Sequence, residues 1–130
     1  MGQKGTEVIR RIVTLAADES TKEIPVFVAE KAVRVTAISL TAEATVAAAD
    51  TSYSTYTFKY GTTTIATYAN GPVSGGTTLT VKVPSALTVT ELDIPAGGVL
   101  HIDGALASSG LAPGRVLIEV TCSPSASSVG

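Results

Sequence analysis

One histidine, one cysteine and a scatter of carboxylates are the groups with which this sequence could do chemistry. Catalysis needs such groups to converge, as a nucleophile with its base, as paired carboxylates, or as a set of metal ligands. His101 stands near Asp103 and Asp93 and could work with either as base or ligand. It also stands between Leu100 and Ile102, at the outward parity of a strand, where the expectation is a surface residue. Serine hydrolysis would set that histidine against a serine, and no Gly-x-Ser-x-Gly elbow occurs. Val73-Ser74-Gly75 reads as a loop. One Cys and one His make zinc improbable, and Glu91 with Asp93 are too few for a calcium loop. Gly97-Gly98 lacks the Lys-Ser/Thr that completes a phosphate loop, so its reading is a turn that needs positive φ. Cys122 has no partner for an intrachain disulfide and reads as a small apolar residue inside a strand. Tyr53, Tyr56, Tyr60 and Tyr68 are the only tyrosines. The alternation of Tyr56 and Tyr60 with Phe58 favours packing between sheets over a sugar platform. No catalytic, cofactor-binding or metal-binding residue is therefore expected, and the chain is read as non-enzymatic.

The elements that would hold these residues belong to one domain. A chain of 130 residues suits one hydrophobic core and leaves little room for two. Apolar residues make up 45% and charged residues 15%, so the polar surface must come mostly from Thr and Ser. That composition suits half-exposed strands. The net charge is −2, and Arg10-Arg11 is the one basic cluster. Nucleic-acid binders take most of their affinity from phosphate neutralisation, so no nucleic-acid partner is expected. The start, Met1-Gly2-Gln3-Lys4-Gly5, lacks the apolar stretch of a signal peptide. No apolar run approaches the roughly 20 residues of a membrane span. Synthesis in a cytoplasm and no membrane partner are the expectations.

About eight short strands follow from alternation and turn residues. The first runs from Glu7 to Leu15, with imperfect alternation of Val8, Ile9, Ile12, Val13 and Leu15. Ile24, Val26 and Val28 share a face of the second, opposite Phe27, and Pro25 marks it as an edge strand or an irregular start. In the segment 32–46, Val33, Val35 and Ala37 share one parity, Ile38 and Leu40 the other. A phase switch near Ala37 predicts a bulge or bend, or a strand covered on both faces. The Ala-rich run 42–49 is expected to be extended, with a short helix as the alternative. Tyr56, Phe58 and Tyr60 alternate with Thr55, Thr57 and Lys59, and Gly61-Thr62-Thr63 folds that strand back onto Thr64–Tyr68 as a hairpin. Leu79, Val81 and Val83 are expected to face inward, ended by Pro84. Leu92 and Ile94, the turn Pro95-Ala96-Gly97-Gly98, and Leu100 with Ile102 follow, then a small-residue loop over Gly104–Gly114. Val116, Ile118, Val120 and Cys122 mark the last inward face. The domain is expected over 7–122, with residues 1–11 as an arm leading into the first strand and 123–130 as a flexible tail. This pattern predicts an all-β sandwich, jelly roll or small barrel of antiparallel strands.

The order of these segments resembles the small jelly-roll decoration, or cement, proteins of tailed-bacteriophage capsids. The resemblance rests on Ile24-Pro25-Val26-Phe27-Val28-Ala29, the Ala-rich end and Asp-Thr-Ser-Tyr turn over Ala47–Tyr53, and the Thr/Tyr hairpin. Late in the chain it rests on the Pro-Ala-Gly-Gly turn within Ile94–Ile102 and the closing Arg115-Val116-Leu117-Ile118-Glu119-Val120. It covers most of residues 7–122. Where such proteins often have Gly-Asp in that turn, this chain has Gly97-Gly98. The resemblance implies a jelly roll and a structural role on the capsid exterior. Its partners would be the major capsid protein and further copies of itself, as a homotrimer bridging capsomers. The termini would be arms ordered on the shell or simply frayed ends, with Val8, Ile9, Arg10 and Arg11 as candidate capsid or subunit contacts. Two other classes stay open: an adhesin or carbohydrate-binding module, and another virion part such as a head-fibre base or tail component.

Overall fold

The computed structural model describes residues 7–15, 23–47, 52–69, 78–108 and 114–124. Among them lie nine strands and no helix: β1 (Glu7–Leu15), β2 (Glu23–Val28), β3 (Val33–Ala42), β4 (Ser52–Tyr60), β5 (Thr63–Ala69), β6 (Ser85–Leu87), β7 (Leu92–Ile94), β8 (Val99–Ser108) and β9 (Gly114–Pro124). One sheet has the order β1-β9-β3-β6, with β7 also on β3; the other has β2-β8-β4-β5. All pairings are antiparallel. The chain crosses between sheets from β1 to β2, β2 to β3, β3 to β4, β5 to β6, β7 to β8 and β8 to β9. That winding is a jelly roll.

The count of nine against an expected eight has a local cause. β6 pairs with Ile38–Leu40 and β7 with Val33–Val35, so both occupy one position along the outer edge of β3. Between them the chain leaves the sheet, and the Thr90 amide donates to the Ile65 carbonyl of β5 at 2.8 Å. Val89 packs partly against the core there. This excursion ties the two sheets together along that side.

The core forms where inward parities meet. Val116, Ile118, Val120 and Cys122 of β9 face Val33, Val35, Ile38, Leu40 and Ala42 of β3 within one sheet. Leu100 and Ile102 of β8, Tyr56 and Phe58 of β4, and Ile65 and Tyr68 of β5 cover them from the other. Burial of each Val, Leu, Ile or Phe among them contributes about 1.5–3 kcal/mol. The phase switch in β3 is a bulge: the register on β9 shifts between Val35 and Ala37, and burial changes parity with it. A second bulge in β2, between Pro25 and Phe27, has the opposite effect on expectation. Val26 is buried, but Val28 turns outward and is 58% exposed. A third, in β5, buries the consecutive residues Ile65 and Ala66.

Two other expectations change. Leu79 is buried and bridges Val46; residues 42–47 form no helix, but the chain bends at Glu43 and Ala44, and positions 48 and 49 of the Ala-rich run lie outside the described residues. Val81 and Val83 are exposed, because the chain turns at Lys82, whose φ is +62°, and the Val83 amide closes onto Thr80 at 3.0 Å. The small residues from Gly104 to Ser108 belong to β8, paired with Ser52–Tyr56, and not to the expected loop, of which 109–113 lie outside the described residues.

Candidate functional site

His101 occupies the middle of β8, a central strand with β2 on one side and β4 on the other. Its register partners are Pro25 and Lys59, and only 8% of its surface is accessible. The expected surface residue is therefore buried, because a central strand takes cover from both neighbours even on its outward face. His101 Nε2 lies 3.2 Å from Asp103 Oδ1, without the alignment of a hydrogen bond, and Asp103 Oδ2 lies 3.2 Å from Lys59 Nζ. A His–Asp contact is half of a nucleophile relay, which also needs a nucleophile on the other ring nitrogen. The strands place a proline and an already paired lysine opposite His101. His101 and Asp103 both lie on β8, and the contact that crosses strands is Lys59 of β4 with Asp103. Asp93, the other candidate partner, lies in the opposite sheet.

Glu91 and Asp93 do share a face, but Arg34 of β3 fills the space between them. Its Nε lies 3.0 Å from Glu91 Oε1, and its Nη1 3.0 Å from Asp93 Oδ1. The hydrogen bonds that Arg34 donates to Glu91 and then to Asp93 raise the guanidinium pKa further. Among the described residues no cluster of three His, Cys, Asp or Glu side chains could hold a metal ion. Tyr56 and Tyr68 are buried and stacked, with centroids 6.2 Å apart and planes 6° from parallel, so neither offers a sugar platform. Burial pushes the Cys122 thiol up to about 11, with a smaller push from Glu7. A thiol held protonated is a poor nucleophile.

The candidate contact residues Val8, Ile9, Arg10 and Arg11 lie on β1, the outer strand of its sheet. They are residues of a regular nine-residue ladder with β9, Glu7 opposite Cys122 through Leu15 opposite Gly114. Val8 and Ile12 stand on the outer face, with Ile12 64% exposed. Arg10 Nε lies 2.9 Å from Glu119 Oε2, whose other oxygen accepts from Ser39 Oγ at 3.4 Å. Ile9 packs at the border of the core and lines a cleft of about 600 Å³ between β1 and β2, with Phe27, Val28 and Val33. Glu7, Glu30 and Lys31 rim it. Sequence reasoning missed the partners Arg34, Glu119, Lys59 and the Arg115–Glu43 pair at 2.7 Å. Their only signal is charge at outward parity, which becomes a contact once the register is known.

No family model and no curated protein matches the chain. One chain of a solved structure described as "Bacillus endospore appendages form a novel family of disulfide-linked pili" is similar over 95% of this chain and 93% of that one. The two are 12% identical, with a TM-score of 0.39.

Proposed function

We propose that this chain is a structural protein of a virion. It binds the outside of a tailed-phage capsid and stabilises the shell by bridging neighbouring capsomers, as a trimer when seated there. The observation that supports this reading is the jelly-roll winding itself, β1-β9-β3-β6 against β2-β8-β4-β5, which is the fold that the resemblance to decoration proteins implies. The reactive side chains fit the same role. Asp103 pairs with Lys59 across β8 and β4, and Glu91 and Asp93 pair with Arg34 of β3, so these carboxylates make contacts within the protein. A β-sandwich with one edge open to pairing suits lattice contacts. The test is cosedimentation of the purified protein with mature heads of the phage that encodes it, followed by measurement of the temperature at which the heads release DNA. Saturable binding with a raised release temperature is expected. Heads that neither bind the protein nor gain stability would refute the reading.

A further inference from the structure

Four strand edges border this sandwich, and three of them are blunted. β2 carries Pro25 and a bulge. β5 carries a bulge, and Thr90 occupies the Ile65 carbonyl. β6 and β7 are three residues each, broken by the excursion between them. Proline, bulges and short strands are among the means by which sheets avoid pairing with other chains. β1 has none of these: it runs nine residues in unbroken register and, among the described strands, pairs only with β9. Every second residue of such a strand directs its N–H and C=O away from the sheet, ready for another ladder.

The side chains along this edge determine what can pair there. Glu7, Ile9 and Arg11 lie opposite Cys122, Val120 and Ile118, all buried, so they share the core-facing parity. Two of the three are charged and exposed. Neither Glu7 nor Arg11 has an ion-pair partner among the described residues, whereas Arg10 on the other face has Glu119. A core-facing charge on an edge strand rejects a partner that cannot match it. A second copy of β1 matches it. Antiparallel strands that continue one sheet must keep parity, so the summed numbers of opposed residues must be even. With Ile9 on the two-fold axis, Ile9 faces Ile9, Glu7 faces Arg11, and Arg11 faces Glu7. Centred on Arg10, the ladder would set Arg10 against Arg10 and leave Glu7 facing Val13. Centred on Arg11, it would oppose the two Arg11 side chains.

We infer that β1 is a self-association edge, where two copies pair antiparallel about Ile9 and join their sheets into one across a two-fold axis, held in register by two Glu7–Arg11 ion pairs. The contact is isologous and closed, so it stops at two copies. It does not rest on the capsid reading; on a shell it would link one three-fold assembly to the next.

Light scattering on the eluting protein tests it, with Glu7→Arg, Arg11→Glu and the double reversal Glu7→Arg/Arg11→Glu. Wild type is expected at twice the 13.1 kDa chain mass. Each single reversal sets like charges opposite one another at two places and is expected to weaken the dimer about tenfold or more. The double reversal restores it. Circular dichroism checks that each variant is folded. Cysteine crosslinking reads the register separately: residues on the axis are close enough for a disulfide. Ile9→Cys is expected to give a covalent dimer on mild oxidation and Arg10→Cys none. A wild-type monomer, a trimer indifferent to charge reversal, a double reversal that fails to restore association, or crosslinking through Arg10→Cys in place of Ile9→Cys would each overturn the inference. Loss of capsid binding with the dimer intact would count against the proposed function alone.

Discussion

Gly97 and Gly98 stand side by side in one turn, yet the structure requires glycine at each for a different reason, and that difference can be measured. The turn joins β7 to β8 and is fastened to the end of β2. The Gly97 amide donates to the Ala29 carbonyl at 2.7 Å, the Ala29 amide to the Gly98 carbonyl at 2.8 Å, and the Gly98 amide to the Pro95 carbonyl at 2.9 Å. Gly97 has φ +87° and open space where a Cβ would be, so Gly97→Ala suffers only the backbone conformation, about 1–2 kcal/mol. At Gly98 a Cβ would stand 2.6 Å from Ile94 Cγ2 and 3.0 Å from both the Pro95 carbonyl oxygen and Tyr60 Cε1. Ile94 is fully buried and the carbonyl belongs to the turn, so neither can step aside cheaply. Overpacking of this kind costs about 1–3 kcal/mol, and contact at 2.6 Å places Gly98→Ala at the upper end or beyond. Urea titrations followed by far-ultraviolet circular dichroism give the difference from midpoints at constant slope. The cause is isolated by a double-mutant cycle: Ile94→Ala removes Cγ2, so Gly98→Ala should cost clearly less in that background, with a coupling of about 1 kcal/mol or more. A Gly98→Ala protein as stable as wild type, or one whose cost is unchanged by Ile94→Ala, would refute the reasoning.

Two further expectations concern buried polar groups. The Tyr68 hydroxyl is buried with no hydrogen-bond partner among the described residues, and burial holds its pKa well above the ordinary phenol range. An unsatisfied hydroxyl costs about 1–3 kcal/mol, so Tyr68→Phe should match wild type or exceed it by about 1 kcal/mol in thermal or urea unfolding; a clear loss would show that the hydroxyl has a partner. Burial raises the Cys122 thiol from its ordinary 9.0 to about 11 in the fold. A raised pKa means that the fold keeps its proton longer, so the contribution is complete below pH 9 and is lost as pH rises through about 11. Wild type should lose about 2–3 kcal/mol more than Cys122→Ala across that window, and parallel pH profiles of the two would sink the assignment.

The parts legible in the sequence are those in which one strand's own alternation decides burial. Val116, Ile118, Val120 and Cys122 are buried as their spacing predicts, as are Tyr56 and Phe58. The parity change after Val35 marks a bulge even without a partner strand in view. What the alternation could not convey is position within a sheet. His101 has outward parity yet is buried, since β8 is central. Gly104 to Ser108 resemble a loop in composition, but β4 supplies a ladder that fixes them as strand. Val81 and Val83 alternate well enough, yet the left-handed backbone at Lys82 breaks the strand they would share. The contacts of Arg34 with Glu91 and Asp93 span 57 and 59 residues, so they depend on a fold that no local pattern specifies.

The charges of this protein bear on pairing more than on folding. Arg10–Glu119, Arg34 with Glu91 and Asp93, and Arg115–Glu43 all lie on exposed or half-exposed surface, where such pairs contribute about 0–1 kcal/mol each. The apolar sandwich carries stability, and most of its side chains do not respond to ionic strength. At an edge the balance differs. There an unmatched charge facing the core side of a neighbouring strand decides whether a ladder can form, because the backbone groups are the same in every register and only side chains discriminate. Raising salt across a range that shortens the screening length from about 10 Å to about 3 Å should therefore leave the urea midpoint almost unmoved and weaken self-association several-fold. Equal effects on both would mean that the exposed pairs stabilise the fold itself, and that β1 holds its partner by something other than Glu7 and Arg11.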